Sequence, residues 1–170
     1  MNTDTYVGCV RELPVMDVCL RHMEDSDIAY VMECMEEAAL CSVTEEERAE
    51  SDGWMPALRK TVAALYDGRR DNEIFILWKK NERIGMIWLG LWEDEFTHVP
   101  AGFLYGIYVR EDMRRSGLAR WMISFAEDWC LERGLNRLCL NVGSENEGAI
   151  RAYRSMGFRP RSSILIKKLR

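Results

Sequence analysis

Histidine is scarce in this 170-residue chain: only His22 and His98 are present. The six cysteines (Cys9, Cys19, Cys34, Cys41, Cys130, Cys139) contain no C-x-x-C pair, so neither a zinc site nor a disulfide framework is supported. Most of them sit inside apolar runs such as Leu138-Cys139-Leu140, as the free, buried thiols of a reducing cytoplasm do. No apolar run approaches the ~18 residues of a membrane span, and the N-terminus shows no basic-apolar-small signal pattern. A cytoplasmic protein without membrane contact is expected. There is no G-x-x-x-x-G-K-[ST] and no G-x-G-x-x-G, which argues against a nucleoside triphosphate or a nicotinamide cofactor. Repeats and low-complexity stretches are also absent, so residues 1–170 read as one domain.

What is present is ordinary in amount and uneven in placement. The chain is 48% hydrophobic and 30% charged, with a net charge of −5. Residues 1–100 carry 10 Lys/Arg against 21 Asp/Glu, net −11, whereas residues 101–170 carry 13 against 7, net +6. An acidic front joined to a basic back points to one cationic and one anionic partner. A nucleic-acid partner is disfavoured, because the basic 110–120 stretch is followed only by Trp121, which its helical spacing turns toward the core.

Periodicity gives the element order. Val18 to His22 reads as a strand, and Tyr6 to Val10 as a short strand or an arm. Asp25 or Ser26 caps a helix with Ile28, Val31, Met32 and Met35 on one side; Glu33, Glu36 and Glu37 read as its solvated face. Thr44-x-x-Glu47 is a capping box, interrupted by Asp52-Gly53, and a firmer helix runs from Pro56 to Tyr66. Strands follow at Glu73 to Lys79, Ile84 to Leu91 and Phe103 to Val109, then a helix from Gly117 to Arg133. Arg137 to Val142, Asn146 to Met156 and Ser163 to Leu169 read as strand, helix and strand. The class is α+β, or mixed α/β.

Two β-to-α passages in the basic half carry the chemistry. In Val109-Arg110-Glu111-Asp112-Met113-Arg114-Arg115-Ser116-Gly117-Leu118-Ala119 a strand turns into a helix through small residues. The unpaired N–H groups of a helix start bind anions, and Arg114, Arg115 and Arg120 add charge. The second passage, Asn146-x-x-Ala149-x-x-x-Tyr153-x-x-x-Gly157-Phe158, puts Asn146, Ala149 and Tyr153 on one helical stripe. Taken alone, Asn146 reads as an N-cap and Tyr153 as a core aromatic.

Together the two passages resemble the GNAT superfamily of acyl-CoA-dependent N-acetyltransferases. Arg114-x-x-Gly117-x-Ala119 matches the family's [Q/R]-x-x-G-x-[G/A] pyrophosphate signature, and Asn146, Ala149, Tyr153, Gly157 and Phe158 match the downstream pattern, over residues 103–168. The resemblance implies a central, mostly antiparallel mixed sheet of about six or seven strands flanked by about four helices, splayed at strands 4 and 5. It implies acetyl-CoA (coenzyme A) as cofactor. The pyrophosphate would lie on Arg114, Arg115, Ser116, Gly117, Leu118 and Ala119, and the pantetheine arm against Ile107, Val109, Asn146 and Ala149. Tyr153 would face the sulfur and act as the general acid, and a backbone N–H near Ile107 would stabilise the oxyanion. Arg120, Arg151 or Arg154 would meet the 3′-phosphate.

Two departures from the family pattern stand out. Residues 101–108 carry no carboxylate where many members have a general base, which leaves His98, Glu93, Asp94 or Glu95 as candidates acting through water. Only twelve residues follow Phe158, so the last strand would be completed by the N-terminal arm or by a second subunit, making a homodimer. The expected activity is acetyl transfer from acetyl-CoA to a primary amine, on a small-molecule or peptide acceptor of cationic character. Trp54, Trp88, Trp92, Phe96 and Tyr105 are candidate walls for the acceptor. The alternative, a non-catalytic acyl-CoA-binding sensor on the same scaffold, follows from the missing carboxylate.

Overall fold

Strands β3 (Glu73–Lys79) and β4 (Glu82–Glu93) are apolar along most of their length because both of their faces are covered. Phe75, Leu77, Ile87 and Leu89 face one layer, and Ile74, Ile76, Met86 and Trp88 face the other. A run without alternation is what a strand buried on both sides requires. The computed structural model describes residues 8–50, 53–68, 71–167 and 169.

The sheet is six-stranded in the order β1-β2-β3-β4-β5-β6, where β1 is Cys9–Leu13, β2 Val18–His22, β5 Pro100–Val109 and β6 Leu138–Leu140. Every pairing is antiparallel except the last, in which β6 runs parallel to β5. Among the described residues five α-helices flank it: α1 (Ile28–Leu40), α2 (Glu45–Glu50), α3 (Trp54–Gly68), α4 (Leu118–Glu132) and α5 (Glu147–Ser155). On one face α4 buries Leu118, Met122, Ile123, Ala126 and Trp129 at the i, i+4, i+8 spacing of an amphipathic helix. On the other, α1 and α3 contribute Val31, Cys34 and Val62.

The mixed α/β class and the splay expected between the fourth and fifth predicted strands are both present; in the present labels these strands are β5 and β6. Helix α2 is the single short helix opened by the capping box, with Glu47 N–H donating to Thr44 Oγ1 at 3.2 Å and Thr44 N–H to Glu47 Oε2 at 2.9 Å. Tyr6 lies outside the described residues, and the first strand begins at Cys9. The strand predicted over Ser163 to Leu169 does not form. Ile164, Leu165 and Ile166 are more than three-quarters exposed, and no neighbouring strand supplies a hydrogen-bonding ladder among the described residues. Alternating hydrophobicity specifies a strand only where a partner edge exists.

Candidate active site

Strand β5 has two partners along only part of its length. Gly102, Phe103 and Leu104 pair with Leu138, Cys139 and Leu140, and the parallel ladder stops there. Beyond it Tyr105 to Val109 keep only β4 as neighbour. The register with β4 slips between Trp88 and Leu89, which leaves Tyr105 as a bulged residue at the point where β6 diverges. Past the bulge, Arg110 N–H donates to Ile84 O at 2.8 Å. Antiparallel pairs alternate between bonded and non-bonded, so Tyr108 bonds Met86, while Ile107 and Val109 turn their amides and carbonyls to the open edge. These are the two β5 residues named from the resemblance.

The open edge leads straight into the anion loop. After a single 3₁₀ turn (Glu111–Met113), Arg114 is extended, Arg115 adopts φ 59° and Gly117 φ 88°, and α4 starts at Leu118. Alternation of right- and left-handed backbone makes a concave nest of N–H groups, and the first turn of α4 adds amides with no intrahelical acceptor. A side-chain Cβ placed on Gly117 would meet nothing within 4 Å, so the space in front of the nest is open. Ser116 Oγ donates to Met113 O at 2.5 Å and braces the turn. Leu118 is buried beneath the loop, while Ala119 and Arg120 are exposed.

Across the splay stands α5. Asn146 caps it by accepting from Ala149 N–H at 3.1 Å, which leaves the side-chain NH₂ of Asn146 as a donor. Ala149 lies half-buried one turn on. Tyr153 packs on the α4 layer, its ring 5.6 Å from Phe158 in a T-shaped contact, and burial raises its phenol above the ordinary value. The turn after α1 closes over this region. A Cβ on Gly143 would sit 2.7 Å from Ser42 Cα, so only glycine lets the two turns touch. Between them lies a cavity of about 260 Å³ bordered by Cys41, Ser42, Arg48, Glu145 and Asn146.

The proposed base candidates fall elsewhere. Glu93, Asp94, Glu95 and His98 cluster before the start of β5, roughly 15 Å along the strand from its open half. Asp94 is buried and accepts from the Phe96 and Thr97 amides at 3.0 and 2.8 Å, and it also pairs with Arg161. Glu93 holds His98 at 2.7 Å. Among the arginines, Arg120 donates to Ser155 Oγ at 2.9 Å and Arg151 pairs with Glu147 at 3.0 Å.

The acceptor aromatics divide. Trp88 is fully buried and belongs to the core, whereas Tyr105, Phe103 and Trp92 form a chain of ring contacts at 4.9 and 5.7 Å along the α3 face. Phe96 is exposed beneath the Arg161 guanidinium, and Trp54 lies half-buried at the start of α3. Sequence reasoning missed two polar pairs. Glu37, read as solvated, accepts the Tyr108 hydroxyl at 2.7 Å, and Glu36 pairs with Arg59. No local motif signals either contact, because the partners come from strand β5 and helix α3.

Among the described residues no group of three metal-ligating side chains occurs, and no helix is long and apolar enough to cross a membrane.

Comparison with known proteins agrees with this geometry. An N-acetyltransferase of Bacillus subtilis is 31% identical over 93 residues, covering 52% of this chain and 58% of the relative. The chain spans about half the length or less of the curated relatives it matches. A GCN5-related N-acetyltransferase of Ralstonia eutropha superposes with a TM-score of 0.69 at 17% identity, over 89% of this chain and 98% of that one. The aminoglycoside N-acetyltransferase AAC(6')-Iy, solved with the bisubstrate analogue CoA-S-monomethyl-acetylneamine, superposes with a TM-score of 0.62 at 17% identity, over 90% and 98% of the two chains. Residues 32–158, from the middle of α1 to the Phe158 that packs on Tyr153, match the Acetyltransferase (GNAT) family, to which this chain therefore belongs.

Proposed function

We propose that the chain is an acyl-CoA-dependent N-acetyltransferase, acting as one domain and moving an acetyl group from acetyl-CoA to a primary amine by direct attack in a ternary complex. The observation that carries this reading is the half-open edge of β5 running directly into a cationic nest of backbone amides. When bound, acetyl-CoA supplies a thioester-activated acetyl group. The amides of Arg115 to Ala119, with the Arg114 and Arg115 side chains, hold the pyrophosphate. The Ile107 carbonyl and the Val109 N–H, on the open edge, would border the pantetheine arm, and the Asn146 NH₂ and the small Ala149 would border it from the other wall. The Ile107 N–H on the same edge would stabilise the negative charge that develops on the thioester oxygen. Tyr153 holds a proton at Oη, and its raised pKa keeps that proton in place through neutral pH.

The acceptor is an amine of cationic character, small or peptidic. The acidic front half and the aromatic chain ending at Trp92, next to Glu93, support that class. The free thiols support a reducing cytoplasm. The exposed Ile164, Leu165 and Ile166, together with an outer edge of β6 that has no strand partner among the described residues, support completion by a second copy in a homodimer. A monomeric mass independent of concentration in sedimentation would remove that part.

The decisive experiment pairs calorimetry with CoA and a free-thiol release assay with acetyl-CoA and a panel of amines. CoA binding and turnover on at least one amine are expected. Tight CoA binding with no turnover on any amine would return the sensor reading, and no CoA binding at all would sink the assignment.

A further inference from the structure

Tyr108 stands next to the last residue of β5, with its side chain on the α1 face rather than on the α4 face that takes Ile107 and Val109. Its ring rests against the stripe of α1 that carries Cys34 and Glu37, and its hydroxyl donates to Glu37 Oε2 at 2.7 Å. The Arg114 guanidinium lies 5.8 Å from the centroid of the same ring. Arg114 Nε also donates to Val109 O at 3.0 Å. The first arginine of the anion loop is thus held by a carbonyl and an aromatic face, and that ring is in turn fixed by a carboxylate from another element.

A comparison with Arg110, four residues earlier, shows what this achieves. Arg110 is neutralised by Glu82 at 3.0 Å and by Asp112 at 2.7 Å, so its charge is spent within the protein. Arg114 has no carboxylate partner among the described residues, and its terminal NH₂ groups keep their charge for an incoming anion. Immobilising a free arginine costs rotamer entropy at binding, and a side chain ordered beforehand avoids much of that cost.

We infer that Tyr108 and Glu37 are positioning residues, which preset Arg114 for the pyrophosphate of the cofactor. The inference rests on the acetyltransferase reading above and adds to it two residues outside the loop signature. It also gives α1 a share in cofactor binding.

The test measures dissociation constants for CoA and for pantetheine, which lacks the pyrophosphate, with wild-type protein, Tyr108→Phe and Glu37→Ala. Tyr108→Phe keeps the ring under Arg114 and removes only the hydroxyl. Each variant is expected to weaken CoA binding about fivefold, the size of one lost hydrogen bond, with pantetheine affinity unchanged. A purely structural role would weaken both ligands in parallel, and that outcome overturns the inference, as does unchanged CoA affinity in both variants. Wild-type protein that fails to bind CoA would remove the acetyltransferase reading and the inference with it. Tight wild-type binding with unaltered variants removes the inference alone.

Discussion

From Gly102 to Leu104, β5 is bonded on both edges and ends against a loop spent on its own contacts, whereas from Tyr105 to Val109 it is bonded on one edge and runs into a loop of unspent donors. The charges follow the same division. At the closed end Asp94, Glu93 and His98 are satisfied by protein groups, and at the open end Arg114 and the nest amides face outward. One strand therefore has a closed half and an open half, the latter the proposed ligand edge, and the bulge at Tyr105 marks the change. Substitutions at the open end should change binding and rate with little effect on stability, and substitutions at the closed end should do the reverse.

The largest effect is expected from Gly117→Glu, which places a carboxylate at the start of α4 and a side chain at φ 88°. CoA affinity should fall at least about 100-fold in calorimetry, because the anion site gains a like charge. Retained affinity would sink the loop assignment. Next is Tyr153→Phe, expected to lower kcat about 100-fold, a typical share for a general acid, with CoA affinity unchanged. The wild-type kcat should also hold to alkaline pH. Burial raises the phenol above its ordinary value, so the acid form is lost at a higher pH than a free tyrosine's. An alkaline limb near neutrality would assign the acid to another group.

At the closed end Arg161→Ala removes the ion-pair partner of a buried carboxylate, and two backbone donors remain for Asp94. Urea denaturation should show a loss of about 1–3 kcal/mol, with CoA affinity unchanged. A parallel drop in affinity would blur the division between the two ends. The smallest effect is expected from Asn146→Ala, where loss of the N-cap costs about 1 kcal/mol of stability and CoA binds only slightly more weakly.

The strand-turn-helix geometry of the proposed cofactor side was largely legible because its determinants are local. A strand end, a turn with glycine and a helix start lie within eleven residues, and the Asn146 cap and Tyr153 stripe lie on one short helix. The polar pairs that join distant segments were not legible. Glu37 meets Tyr108 across 71 positions and Asp94 meets Arg161 across 67, and a single sequence carries no signal for either pair. The same reason explains Glu93 and Asp94. Loop carboxylates near the expected base position looked available, but turn amides, His98 and Arg161 had claimed them. The unformed strand after Ser163 shows the reverse case, a correct local pattern without a neighbour to complete it.

The three-residue parallel junction between β5 and β6 has a consequence for how the molecule opens. Strands β3, β4 and β5 form a meander of near neighbours, whereas β6 reaches β5 only after the whole of α4 and makes the shortest ladder of the sheet. So short a ladder is expected to open before the longer ones, with its amide hydrogens exchanging first. A cofactor held as proposed, between β5 and α5, would span that seam and act as a thermodynamic clamp across it. Local opening of the β6–α5 unit then becomes rarer by the factor 1 + [L]/Kd, as for any ligand that binds only the closed form.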